Sequence, residues 1–225
     1  MGGSRIKKAC EALKIFIKSL PVNCYFNVYS FGNNHQSMFV SSVKNSQESN
    51  HSAVKQIEGM SANFGGTNIL SPIEAALRSP LIEGHPKQIF LLTDGQVYNT
   101  ENIIEVIKQK VKFSRVHTIG IGKGASQALV TGCAKHGKGH SVFIKDSENP
   151  SSKIIQLLND SLTPVISRVK LSYDHSLVES IVPNPAKIPY ILKNQMVSFY
   201  LTFKGAGKRD LPFSGIRGFS QQVAF

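Results

Sequence analysis

Gln88-Ile89-Phe90-Leu91-Leu92-Thr93-Asp94-Gly95 is the stretch that decides the fold. Its apolar residues run without interruption. A strand with one wet face alternates polar and apolar residues, whereas a strand buried on both faces does not. The run therefore predicts a strand inside a parallel sheet covered by helices on each side. Asp94-Gly95 closes it at the carboxyl end. Open α/β sheets bind ligands outside that end of their strands, which makes Asp94 the first candidate site residue. A carboxylate there needs a metal or a counter-charge. The plainer alternative is an Asp that makes a turn or caps a helix before Gly95.

The flanking sequence supplies the remaining layers. Residues 4–20 carry Ile6, Ala9, Cys10, Leu13, Phe16, Ile17 and Leu20 at three- and four-residue spacing, an amphipathic helix stopped by Pro21. Residues 24–31 are aromatic and β-branched and predict one strand, and Met38-Phe39-Val40 predicts a short one. A weak helix follows around Ala53–Met60. Ser71-Pro72-Ile73-Glu74 predicts a capping box with proline at the first helical position. Downstream, helices over 101–112, 126–135 and 151–167 alternate with strands over 115–121 and 140–144. Strand–helix alternation from residue 4 to about 168 predicts a doubly wound, mostly parallel α/β domain. Beyond it, 169–173 and 196–203 look like strands separated by Pro183, Pro185 and Pro189. Residues 169–203 thus begin a β-rich domain, and 204–225, with four scattered glycines, predict an irregular tail.

Bulk properties narrow the class. Of 225 residues 41% are hydrophobic and 18% charged, a globular composition. No apolar run nears the roughly 20 residues that span a bilayer. The N-terminal residues have no apolar signal-peptide core, so the chain as given is expected in the cytosol. Cys10, Cys24 and Cys133 are too few and too far apart for a disulfide framework and predict reduced, buried thiols. The net charge of +12 suits nucleic acid or an anionic membrane, but the basic residues are dispersed without interleaved aromatics. Solvated helix faces account for them better.

Phe64-Gly65-Gly66-Thr67-Asn68-Ile69-Leu70-Ser71-Pro72 adds a second candidate. The Thr67 hydroxyl follows two glycines and can cap the next helix or ligate a hard cation. Taken with the segment ending Thr93-Asp94-Gly95 and with His117-Thr118-Ile119-Gly120-Ile121-Gly122, it resembles the von Willebrand factor A family over residues 1 to about 168. Ser19-Leu20-Pro21, Phe26-Asn27-Val28 and Phe31-Gly32 look closest to the branch with inter-alpha-trypsin inhibitor heavy chains, vault poly(ADP-ribose) polymerase and the domain-containing protein 5 group.

The resemblance implies a protein–protein interaction module, not an enzyme. It also implies a metal-ion-dependent adhesion site, with Mg²⁺ in complete relatives held by D-x-S-x-S, a loop Thr and a later Asp. Thr67 and Asp94 match the last two. Met1-Gly2-Gly3-Ser4-Arg5-Ile6 matches the family segment immediately after the first motif, so the first strand and its ligands are expected to be missing and this chain to hold no cation. The expected partner is a protein, with no small-molecule substrate, nucleic acid or membrane.

Two other readings stay open. Gly120-Ile121-Gly122-Lys123-Gly124-Ala125 fits the dinucleotide fingerprint G-x-G-x-x-A, with Asp146 about twenty residues on. It comes late, whereas the fingerprint occupies the first strand–helix turn. The third reading is a basic scaffold that binds nucleic acid or membrane through charge alone.

Overall fold

The computed structural model describes residues 3–61, 65–111, 114–162, 165–184, 190–192, 196–204 and 213–221. The chain divides into a larger unit ending at Leu162 and a smaller one starting at Thr163.

The larger unit is built on strands β5 (Lys87–Thr93), β6 (Ser114–Ile121) and β7 (Lys138–Ile144). They pair in parallel in the order β5-β6-β7, with Leu91 opposite Thr118 and Ile121 opposite Ile144. Every residue of β6 is buried. Its side chains alternate between two cores, as a pleated strand must. Val116 joins Ile69, Ile73, Leu91, Ile103, Ile107, Leu129 and Cys133 on one face. Ile119 and Ile121 join Ala9, Ala12, Ile144, Ile154 and Leu157 on the other. The first face is covered by helices α3 (Leu70–Arg78), α4 (Thr100–Lys110) and α5 (Gln127–His136), the second by α1 (Ser4–Lys18) and α6 (Ser151–Leu162). This is the doubly wound α/β architecture predicted from the apolar run.

The predicted strand over 24–31 is two short strands, β1 (Tyr25–Phe26) and β2 (Tyr29–Phe31). The break is Asn27. Its carboxamide donates to Phe39 O at 2.9 Å and accepts from Phe39 N at 3.1 Å, replacing a backbone ladder step. The same bonds hold Phe39 off a ladder, and the second strand of this hairpin is β3 (His35–Ser37), not Met38–Val40. β1 pairs with β4 (Val43–Lys44). Helix α2 (Gln47–Glu58) starts six residues earlier than its apolar pattern suggests, because Ser46 and Ser49 form a reciprocal capping box. Its Ala53 and Ile57 pack with Ile17 and Phe26 in a third cluster.

The start of α3 also differs from expectation. Its N-cap is Ile69, without a side-chain cap, and Pro72 lies at the third helical position. The first four helical N–H groups have no intrahelical acceptor, so a proline there costs no hydrogen bond. At the other end of α3, the Lys87 ammonium donates to the carbonyls of Ala76, Leu77 and Ser79. Lys138 Nζ likewise donates to Val111 O at the end of α4, at 2.9 Å.

Helix α6 ends at Leu162 instead of Ser167, since Pro164 lacks an N–H and disfavours helix at the residue before it. In the smaller unit β8 (Val165–Tyr173) pairs antiparallel with β10 (Tyr190–Leu192) and with β12 (Phe213–Gln221). β12 lies where an irregular tail was expected. Its register with β8 slips between Phe213 and Gly215, where β12 carries the extra residue, and between Arg217 and Phe219, where β8 carries it; the extra residue in β12, with Gly215 and Gly218, breaks the period-two pattern that marks a strand in sequence. β9 (Val178–Val182) pairs with β11 (Tyr200–Phe203). That ladder stops at Tyr200 opposite Val182, beside Pro183, which shortens the strand expected from 196.

Candidate functional site

The site is built at the carboxyl edge of the parallel sheet, where three chain segments meet. Asp94 leaves the end of β5, and its side chain is 12% exposed. Asp146 follows β7. Arg5 extends from the first turn of α1, and its guanidinium lies between the two acids, with Nη1 3.9 Å from Asp94 Oδ2 and Nε 4.0 Å from Asp146 Oδ1. Lys8, one turn on, donates to Lys145 O at 3.1 Å and to Asp146 O. A cation in the first turn of a helix works against the helix dipole. Gly3 gives α1 no side-chain cap, and no acid stands in its first turn. The compensating negative charge comes from the two aspartates.

The loop after β6 is shaped around this arrangement. Gly122 has φ +74°, and a Cβ there would lie 2.6 Å from Asp146 Oδ1 and 3.2 Å from Arg5 Nε. A Cβ at Gly124 would lie 2.9 Å from Asp94 O and 3.2 Å from Arg5 Nη1. A Cβ at Gly120 would strike the Phe143 ring at 2.7 Å. The space that a dinucleotide fingerprint reserves for a pyrophosphate is filled here by the chain's own ring, carboxylate and guanidinium. Asp146, the acid expected at the ribose, faces Arg5 instead.

Asp94 stands at the predicted edge. Gly95 N approaches Thr93 Oγ1 at 3.4 Å. Thr67 is exposed in the loop before α3. It does not cap that helix: Asn68 Oδ1 accepts from Ser71 N at 3.3 Å. The Gly65-Gly66 turn has positive φ and packs on the Asn33 carboxamide. Tyr98, four residues beyond Asp94, is wholly exposed. Sequence reasoning passed over Arg5 and Tyr98. The signal for Arg5 was a basic residue at the unfavourable end of a helix.

The cation that the resemblance implies can be tested against these residues. Mg²⁺ demands a near-octahedral oxygen shell and dehydrates reluctantly. The candidates offer one carboxylate that already faces a guanidinium and one exposed hydroxyl. Among the described residues no three His, Cys, Asp or Glu side chains are placed to hold a metal ion. By themselves Thr67 and Asp94 do not complete such a shell.

Among the described residues the cysteines are unpaired. Cys133 is buried, while Cys10 and Cys24 are half-buried, less enclosed than expected. Burial pushes the Cys24 thiol up to about 11 and Cys133 to about 12, so neither is a nucleophile at neutral pH.

Comparison with known proteins gives this geometry its family. The family profile described as von Willebrand factor type A domain matches residues 1–143. The human von Willebrand factor A domain-containing protein 5A is 40% identical over 169 residues, 75% of this chain and 22% of its own length. The chain therefore spans about a quarter or less of that relative. Among solved structures, a von Willebrand factor type A protein from Catenulispora acidiphila superposes with a TM-score of 0.65 at 16% identity, covering 97% of this chain and 50% of that one. Proximal thread matrix protein 1 from the mussel byssus, with a zinc-occupied adhesion motif, gives a TM-score of 0.52 at 20% identity, covering 67% and 38%. The chain belongs to the von Willebrand factor type A domain family.

Proposed function

We propose that this chain is a protein-docking module and that its partner sits on the carboxyl edge of the parallel sheet, around Asp94 and Tyr98. The observation that carries the reading is Tyr98, wholly exposed on the loop that begins at Asp94. A large aromatic held in water beside a charged rim is the composition that interface hot spots favour. The role is binding, not catalysis, and the partner is a protein, not a nucleic acid or a membrane. The lysines that close helix ends, Lys87 and Lys138, support that choice, because their charge is spent on carbonyls. The mussel protein holds zinc at its adhesion motif; here Arg5 supplies the positive charge beside Asp94. Three unpaired thiols support a reducing compartment, and we place the protein in the cytoplasm.

Photo-crosslinking in cells tests this directly. A benzoylphenylalanine at Tyr98 is compared with one at Glu83, an exposed residue ahead of the amino end of β5. A discrete protein adduct from position 98 and none from 83 is the expected result. Equal adducts from both positions, or none from 98, would contradict the assignment of the edge.

A further inference from the structure

We propose that Arg5 is the built-in cation of this edge: it locks the Asp94 and Asp146 loops onto α1, inside a cradle that Gly122 and Gly124 keep open, and thereby lets the edge dock its partner without a divalent ion. The docking half of this proposal rests on the function proposed above; the lock stands on its own geometry.

Three observations converge on it. First, the guanidinium faces both acids at once, at 3.9 and 4.0 Å, one through Nη1 and one through Nε. A planar group with separate donors on two sides can span two carboxylates, whereas an ammonium is a single point charge. Second, the cradle is specific. Gly122 and Gly124 are the positions where an added Cβ would fall 3.2 Å from Arg5 Nε and Nη1, so a side chain at either would crowd the guanidinium. The glycine pattern that suggests a nucleotide loop serves an arginine instead. Third, Arg5 sits where the dipole of α1 disfavours it, and α1 carries no acid in that turn. The position is tolerable because two acids from other loops meet it.

The lock has a consequence for the edge. With Arg5 in place, the Asp94 carboxylate, 12% exposed, is compensated by a charge the chain carries itself. A divalent ion beside Asp94 would have to displace a guanidinium that faces both acids. Both partners of the Asp146 contact are well exposed, Arg5 at 39% and Asp146 at 48%, so the lock is a local device that opens without unfolding the sheet.

Hydrogen exchange read by mass spectrometry tests it. In Arg5→Gln, amides of 94–98 and 122–126 should exchange roughly tenfold faster, with β6 unchanged. Arg5→Lys should fall between, because one ammonium reaches one acid at a time. Gly124→Ala should loosen the same loops through crowding, and about 0.5 M NaCl should do so in the unmodified chain through screening. Mn²⁺ added to the unmodified chain should broaden no amide near Asp94 selectively. Unchanged loop exchange in Arg5→Gln, or selective Mn²⁺ broadening around Asp94 in the unmodified chain, overturns the proposal. An adduct at position 98 that EDTA abolishes also overturns it, while leaving the docking edge itself standing.

Discussion

His117 lies at zero exposure in β6, with its ring stacked 4.8 Å from Phe90 and 5.7 Å from His140. His140 N donates to its Nδ1 at 3.1 Å, which leaves the proton on Nε2 to be donated to Gln88 Oε1 at 3.0 Å. Burial, with the neighbouring His140 and Arg115, pushes its pKa down to about 3. The unfolded chain takes up that proton near the usual value of about 6.5. The stability due to neutral His117 is therefore complete above about pH 6.5 and is lost as pH falls toward 3, with an upper bound of about 5 kcal/mol. Thermal unfolding between pH 7 and pH 4 should show a steeper loss for the native chain than for His117→Gln; parallel curves would contradict the neutral, buried ring. Asn27 is the second informative residue. Replacing it with alanine leaves Phe39 N–H and C=O without their partner and should cost about 1–3 kcal/mol in denaturant unfolding, with no change if the bonds are dispensable. The place of Asp94 was legible at this scale because the apolar run of β5 ends on it. Asn27 and Arg5 were not, because each acts on residues far along the chain.

Elements were legible where their residue pattern is regular. β5 announces itself through its apolar run, and β6, fully buried, carries β-branched Val116, Thr118, Ile119 and Ile121. α2 buries Ala53 and Ile57 alone, so its sequence carries almost no period, and the capping serines define it instead. β12 was hidden by the extra residue near its start and by Gly215 and Gly218. β5 raises a separate matter. It is more apolar than β6, yet of its seven residues Leu91 and Thr93 alone are fully buried. Among the described residues its one strand neighbour is β6. An apolar strand with one open edge is a template for other chains. The chain should therefore self-associate as its concentration rises, and a parallel strand fused ahead of α1 to pair with β5 should suppress this and raise the unfolding temperature. Light scattering and thermal unfolding of both forms check it. Identical behaviour with and without the added strand would mean that the edge is already satisfied.

At the scale of the whole molecule, 26 lysines and arginines face 14 acids, and several of the cations serve the chain's own groups. Arg5 meets Asp94 and Asp146, Lys14 meets Glu58, Lys110 meets Glu74, and Lys153 meets Glu148. These pairs leave the excess of +12 on other side chains, which the sequence disperses over several helices without interleaved aromatics. The family was legible from three short motifs, whereas the character of the edge needed the position of one arginine. The proposed edge carries its own cation in Arg5. Titration calorimetry of Mg²⁺ into the chain near neutral pH, with Asp94→Asn as control, should show heats of dilution alone, identical in both proteins, up to millimolar Mg²⁺. A saturable isotherm that Asp94→Asn abolishes would contradict it.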